Sequence, residues 1–216
     1  MQDLAVVTGM IIKAVPIGEY DRRLVLLTKE RGKISAFVRG ARKPNSKFVA
    51  ATNLFCFGTF KLYQGRDSYT LAEAEITNYF EDLRMDFEGA YYGMYFMEIA
   101  DYYTRENNDE REMLKLLYQS LRALSVPALS HQLVRAVYEL KAVIVNGEFP
   151  GIPGDKHYLP ATEYTVDYIV SSSIEKLYTF TVTEEVLAEL KKIAARICKL
   201  CLSTQFKSLE ILDALD

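Results

Sequence analysis

The chain of 216 residues lacks any hydrophobic run long enough to span a membrane. A membrane-spanning helix needs roughly 20 consecutive apolar residues, so we expect no membrane partner. Only three cysteines are present (Cys56, Cys198 and Cys201), too few for a disulfide framework and typical of a reducing compartment. The first residues, MQDLAVVTGM, carry an acid where a signal peptide would carry positive charge. We therefore expect a cytoplasmic protein.

The sequence also lacks the motifs of common enzyme classes. It has no G-x-x-x-x-G-K-[ST], G-x-G-x-x-G, G-x-S-x-G or H-E-x-x-H pattern. His131 and His157, the two histidines, have no orienting or ligating partner at a suitable spacing. Cys198 and Cys201 would need a second cysteine pair to hold zinc, so we interpret them as core residues. The sequence predicts no catalytic residue, no metal and no cofactor.

Acidic residues are missing from one long stretch, between Arg31 and Arg66, although the formal net charge of the chain is −3. Residues 1–66 contain 12 Lys and Arg against four acids, a net charge of +8. The remaining 150 residues contain 14 basic and 25 acidic groups, a net charge of −11. Such asymmetry indicates that one half binds a polyanion and that the chain has two domains with different partners.

Two kinds of periodicity divide the chain near residue 80. Before it, five β-branched and apolar segments separated by glycine-bearing turns predict five short strands, the right number for an OB-fold barrel. After it, apolar residues at helical spacing predict four long helices and a short terminal helix. The predicted fold is α+β: an N-terminal five-stranded OB-fold barrel at residues 1–80, then an all-helical domain at 81–216. A Gly- and Pro-rich segment predicts an irregular insert at about 147–175.

The segment KISAFVRGARKPNSKF, residues 33–48, alternates like a strand and then becomes a basic turn. Its pattern places Ile34 and Val38 on one face and Phe37 on the polar face. Clustered cations attract phosphate backbones, and an exposed ring offers a base a surface for stacking. A solvated hairpin whose charges keep a sheet edge soluble is the alternative. The candidate DNA-binding residues are Lys33, Phe37, Arg39, Arg42, Lys43, Lys47, Lys61 and Arg66.

Residues 18–48, GEYDRRLVLLTKERGKISAFVRGARKPNSKF, closely resemble the signature of the RecO family of recombination mediators. Lys47 stands where that family usually has arginine. The segments YFMEIADYY, ELKAVIVNGEFP and KSLEIL resemble the family more loosely. Many members carry a four-cysteine zinc module after the third helix, but residues 146–180 contain no cysteine, so zinc is not expected here. The matching residues of the signature are Gly18, Glu19, Asp21, Leu27, Thr28, Glu30, Gly32, Gly40, Ala41, Arg42, Lys43 and Ser46.

This resemblance implies an OB-fold domain joined to a helical domain, without catalysis. It implies binding of single- and double-stranded DNA and annealing of complementary strands. It further implies loading of the RecA recombinase onto strands covered by single-strand DNA-binding protein. RecR would be the usual partner, and the location would be the bacterial cytoplasm in association with the nucleoid.

The alternative is a protein-interaction adaptor whose helical domain binds a partner peptide without direct DNA contact. Members of the RecO family also bind the acidic tail of single-strand DNA-binding protein on the helical domain. A peptide of this kind needs an apolar groove with a cation at its rim. The candidates are Arg135, Tyr138 and Lys141, which lie along one predicted helix. An ordinary ion pair between Arg135 and Glu139 at i,i+4 is the competing interpretation.

Overall fold

The structure, a computed structural model, describes residues 4–66, 68–154 and 157–214. Two compact units are present: unit 1 comprises Met1–Glu81 and Ala100–Leu114, and unit 2 comprises Asp82–Ile99 and Lys115–Asp216. The elements are β1 (Leu4–Ile17), β2 (Asp21–Thr28), β3 (Gly32–Val38), α1 (Phe48–Ala51), β4 (Phe57–Gln64), β5 (Tyr69–Asn78), α2 (Glu81–Met85), α3 (Phe87–Tyr103), α4 (Arg111–Leu124), α5 (His131–Val145), α6 (Pro160–Ser171), a 3-10 turn (Ile174–Lys176), α7 (Glu184–Cys201) and α8 (Lys207–Leu212). Among the described residues, no helix has both the length and the apolar character needed to cross a membrane.

The five strands of unit 1 form a closed barrel with the order β1, β2, β3, β5, β4 around its wall. Neighbouring strands are antiparallel except β3 and β5, which pair in parallel. Strand β1 has 14 residues, so its second half pairs with β2 and its first half with β4. The predicted five-stranded OB-fold barrel followed by helices is therefore confirmed.

Alternation along each strand separates the barrel core from its outer surface. On β3, Ile34, Ala36 and Val38 are buried, whereas the Phe37 side chain is 37% exposed. The predicted facing of this strand is therefore confirmed. A shift of one residue in register would have buried Phe37 and exposed Ile34, Ala36 and Val38. Burial of a side chain as large as valine or isoleucine stabilises the fold by about 1.5–3 kcal/mol, so such a shift is unfavourable.

Within unit 1, Asp101 binds two lysines of the barrel wall. Lys13 Nζ lies 2.6 Å from Asp101 Oδ2, and Lys33 Nζ lies 3.0 Å from Asp101 Oδ1. Lys33 Nζ also donates to the Asp101 carbonyl oxygen at 2.6 Å. Burial by itself raises the pKa of the Asp101 carboxyl, but the hydrogen bonds from Lys13 and Lys33 outweigh it and the net pKa is lowered. The contact therefore stabilises the ionised carboxylate.

We expect Asp101→Asn to lower the free energy of unfolding by about 1–2 kcal/mol at pH 7, because two ammonium groups lose their counter-charge. A lowered folded-state pKa means that this contribution is complete above the unfolded-state pKa of about 3.9. It is lost as the pH falls through the folded-state pKa. Urea unfolding of both proteins between pH 7 and pH 2 measures the difference.

The exposed Asp167, replaced by asparagine, is the matched control for this experiment and should leave the free energy of unfolding nearly unchanged. A difference between wild type and Asp101→Asn that stays constant down to pH 2 would contradict the assignment.

In unit 2, helix α5 is packed on almost every side and contacts both α6 and α7. Ser130 caps its first turn by accepting from the Leu133 N–H, and Gly147 follows its last turn with a positive φ of 74°. Tyr138 stacks on Phe96 with ring centroids 4.2 Å apart. A helix with so little exposed surface is a core element, even though it carries charged residues such as Glu139 and Lys141.

Helix α6 lies inside the segment predicted to be irregular, and charged side chains from two other helices hold its ends. At the first turn, the Glu189 carboxylate accepts from the Leu159 N–H at 3.0 Å and from Thr162 Oγ1 at 2.6 Å. At the last turn, Lys141 Nζ donates to carbonyl oxygens. These contacts place a negative charge at the helix N-terminus and a positive charge at its C-terminus, as the helix dipole favours. The predicted irregular insert is therefore wrong for Pro160–Ser171.

The Lys141 ammonium is buried and fully engaged. Its three carbonyl acceptors are those of Ile169, Val170 and Ser172, at 2.9, 3.2 and 2.7 Å. An ammonium has three protons to donate, and a helix C-terminus has four carbonyl groups without a helical partner. Lys141 therefore serves as a cap delivered from a neighbouring helix.

We expect Lys141→Met to lower the free energy of unfolding by about 2–3 kcal/mol, because methionine fills the space but leaves buried carbonyl groups without a donor. Urea denaturation followed by circular dichroism measures the loss. Lys192→Met on the exposed side of α7 is the control and should change the value by less than about 0.5 kcal/mol. Equal stability of the two variants would show that the cap contributes nothing.

Candidate nucleic-acid interface

The basic turn after β3, residues 39–48, is held by hydrogen bonds that its backbone N–H groups donate to Tyr20 and Asp21, where the β1–β2 turn meets β2. The Gly40 N–H donates to Asp21 Oδ1 at 2.7 Å, and the Arg42 N–H donates to the Tyr20 carbonyl oxygen at 2.8 Å. Gly40 has a positive φ of 65°, a conformation that favours glycine. We call residues 39–48 the basic loop. Its backbone is anchored, so its cations project from a defined position on the barrel.

Four cations of the basic loop are exposed: Arg39, Arg42, Lys43 and Lys47. Arg39, Lys43 and Lys47 line a shallow depression of about 450 Å³. Among the described residues, none of the four forms a salt bridge. The loop therefore presents a compact group of positive charges, none of which is within salt-bridge distance of a carboxylate in the described part of the chain.

The contacts that these cations do make are with carbonyl oxygens and aromatic rings. Lys43 Nζ lies 5.6 Å from the centroid of the Tyr20 ring, a cation–π distance. Lys47 Nζ lies 3.3 Å from the Ala72 carbonyl oxygen on β5 and 5.0 Å from the Phe48 ring centroid. Such partners restrain a side chain but leave its charge available to an incoming anion.

Lys33 and Lys61 differ from the loop cations because each already has a carboxylate partner. Lys33 is held by Asp101, and its side chain is only 21% exposed. Lys61 Nζ lies 2.7 Å from Glu73 Oε2, and the hydrogen bond that Lys61 donates to Glu73 raises the pKa of Lys61. The two carboxylates, Asp101 and Glu73, lie outside the stretch between Arg31 and Arg66 that has no acidic residue. The structure therefore does not support Lys33 as a free phosphate contact and leaves Lys61 as one half of a surface ion pair.

Two further arginines of the barrel domain are exposed. Arg66, also a sequence candidate, is exposed in the turn between β4 and β5. Arg23, which sequence reasoning missed, is exposed on β2 directly opposite Phe37 on β3. Its Nε donates to Ser35 Oγ at 2.9 Å. The pairing register of β2 and β3 was the signal that could have found it.

The three residues predicted to bind a peptide are used inside unit 2. Tyr138 is fully buried and donates to the Phe96 carbonyl oxygen at 2.8 Å. Lys141 is the α6 cap. Arg135 Nε lies 2.9 Å from Glu139 Oε1, the ion pair that was the competing interpretation. Burial therefore removes Tyr138 and Lys141 from any peptide-binding surface, and the adaptor alternative loses the face on which it was based.

His131, one of the two histidines, has two carboxylates nearby. His131 Nε2 lies 3.4 Å from Asp86 Oδ2, and His131 Nδ1 lies 3.6 Å from Glu88 Oε1, at the start of α5. Within residues 4–66, 68–154 and 157–214, no group of three or more His, Cys, Asp or Glu is arranged to hold a metal ion. The basic loop with Phe37 is thus the surface on which a functional assignment can be built.

Comparison with known proteins identifies the family of this chain. The family described as "Recombination protein O N terminal" matches residues 1–80, and "Recombination protein O C terminal" matches residues 84–150. A DNA repair protein RecO of Acetivibrio thermocellus is 31% identical, over 97% of this chain and 96% of that protein. One of Clostridium perfringens strain 13 is 28% identical, over 94% of this chain and 95% of that protein. The chain therefore belongs to the RecO family of DNA repair proteins.

Proposed function

We propose that this protein binds single- and double-stranded DNA through the basic loop of its OB-fold barrel. In recombinational repair it anneals complementary strands and helps load RecA onto strands coated by single-strand DNA-binding protein. Its partners are RecR and the acidic tail of single-strand DNA-binding protein. It works in the bacterial cytoplasm, associated with the nucleoid. The partners and the location rest on family membership, and we assign no residue to them.

The observation that carries the proposal is the group of four exposed loop cations beside an exposed ring. The cations all lie in the loop that follows the strand of Phe37, and they are Arg39, Arg42, Lys43 and Lys47. Binding of phosphates to such cations releases condensed counterions, which favours association without reading sequence. A ring next to the cations adds stacking for unpaired bases, as in other OB folds that hold single strands.

Annealing follows from the same physical chemistry. Two complementary strands repel each other through their phosphates, and this repulsion slows their encounter. Loop cations that neutralise part of one backbone lower that repulsion while the bases remain able to pair. Because the contact is with phosphate, it is independent of sequence, as a general repair factor requires.

We expect Arg42→Ala combined with Lys43→Ala to weaken DNA binding about tenfold or more at 50–100 mM salt, for single strands and duplex alike. The slope of log affinity against log salt should flatten by about one unit per lost phosphate contact. Fluorescence anisotropy with a labelled oligonucleotide at several salt concentrations measures both. The fold should persist, because exposed loop cations contribute little to stability.

Lys192→Ala combined with Lys199→Ala is the matched control, since it removes two exposed cations from α7 and the same total charge. Its affinity should stay within twofold of wild type. If the loop variant is folded and binds with unchanged affinity and slope, the basic loop is not a DNA contact.

For Phe37→Ala we expect a different pattern, because stacking is not ionic. Affinity for single strands should fall by roughly 1–3 kcal/mol, while the salt slope remains that of wild type. Phe37→Tyr keeps an aromatic face and should bind nearly as wild type. The same titration tests both variants, and a loss of affinity that is equal for duplex and single strand would argue against stacking at Phe37.

A further inference from the structure

Closure of the barrel brings a second exposed ring into line with Phe37. Phe37 on β3 pairs with Thr70 on β5, and Thr70 pairs with Tyr63 on β4. Neighbouring strands lie about 4.8 Å apart, so the backbones at Phe37 and Tyr63 are separated by about 10 Å across β5. We call Phe37, Thr70 and Tyr63 the aromatic row.

Both rings of the aromatic row face outward. The Phe37 residue is 37% exposed and Tyr63 is 42% exposed. On β5, the two neighbours of Thr70 are Tyr69 and Leu71, and both are buried in the barrel core. Because side chains alternate along a strand, Thr70 and its partner Tyr63 face outward. The small Thr70 side chain between the rings leaves space over the sheet. Large apolar rings on an outer barrel surface are available for contact with a ligand.

Two cations border the aromatic row, Arg23 on β2 and Lys47 of the basic loop. Arg23 lies directly opposite Phe37 on β2. Lys47 of the basic loop reaches the carbonyl oxygen of Ala72, two residues beyond Thr70 on β5. Lys61, two residues before Tyr63 on β4, is paired with Glu73 and is not counted among these cations. A strand of nucleic acid that crosses the row therefore finds cations for its phosphates on the same face as the rings.

We propose that the aromatic row is a stacking site for two unpaired bases of a DNA single strand, with Tyr63 as its second stacking residue. This inference rests on the proposed DNA binding and adds the class of ligand that the surface selects. Successive bases in a duplex are about 3.4 Å apart and cover one another's faces, so they cannot stack on two rings that are carried by strands about 10 Å apart. A flexible single strand can splay two bases to that separation.

The basic loop and the aromatic row then bind different parts of a DNA strand. The basic loop holds any phosphate backbone, paired or unpaired, whereas the aromatic row adds affinity only while bases are free. When two strands anneal, their bases leave the rings, and only the contacts between the loop cations and the phosphates remain. The duplex product is therefore held more weakly than the strand from which it formed.

The test is Tyr63→Ala, titrated by fluorescence anisotropy against a labelled single-stranded oligonucleotide and the matched duplex. We expect about tenfold weaker binding of the single strand, within twofold of wild type for the duplex, and an unchanged salt slope. Tyr63→Phe keeps the ring and should bind as wild type. Val6→Ala, which removes an exposed apolar side chain from the same outer surface but outside the row, should also bind as wild type.

An oligonucleotide of abasic sites gives a second, independent readout because it keeps the phosphates and lacks the bases. Wild type and Tyr63→Ala should bind it equally. Circular dichroism checks the fold of each variant. If Tyr63→Ala does not fold, Tyr63→Thr takes its place, since threonine is well tolerated in strands.

The outcomes separate this inference from the proposed function. If a folded Tyr63 variant binds single strands as wild type while the Arg42 and Lys43 variant is weakened, the aromatic row is overturned and the basic loop stands. If the Tyr63 variant loses affinity equally for single strand, duplex and abasic oligonucleotide, stacking is again overturned. If wild type binds no oligonucleotide, both proposals fail.

Discussion

Closure of the barrel depends on one short seam, the parallel pairing of Ala36 with Tyr69 and of Phe37 with Thr70. Four of the five strand contacts are antiparallel, and this one joins the two ends of the sheet. Because side chains alternate, the seam fixes Ala36 inward and Phe37 outward together. The chain then leaves the seam as the basic loop, so the loop cations emerge beside an outward ring. The candidate interface is thus a consequence of where the barrel closes.

The same geometry explains why cations of one acid-free stretch have different chemical roles. Lys33 and Lys61 lie on strands, where neighbouring elements bring Asp101 and Glu73 within 3.0 Å. Cations of the loop extend beyond the barrel wall, where their neighbours are carbonyl oxygens and rings. A paired lysine contributes to stability and little to an external field, whereas an unpaired one attracts polyanions over a Debye length of about 8–10 Å. For these lysines, position relative to the wall decides which charge already has a carboxylate partner.

The sequence predicted the barrel and the facing of Phe37 because both depend on local patterns, namely period-2 alternation and glycine-bearing turns. Helix α6 escaped prediction because contacts distant in sequence hold it, with Glu189 at one end and Lys141 at the other. Tyr138 was misplaced for a related reason: α5 is buried on nearly all sides, so helical spacing could not show a free face. Local patterns were therefore sufficient to predict the strands, whereas α6 and the burial of α5 depend on contacts between residues distant in sequence.

Recombinational repair places two opposing demands on a protein that handles DNA strands: it must hold strands of any sequence, and it must release the duplex that pairing creates. Phosphate contacts meet the first demand but cannot distinguish substrate from product, since both are polyanions. Discrimination needs a contact that pairing itself removes, and the face of an unpaired base is such a contact. An OB-fold barrel can supply both because its seam sets rings on the wall while its loop carries the cations. In the function proposed here, affinity and release both follow from one surface without a moving part.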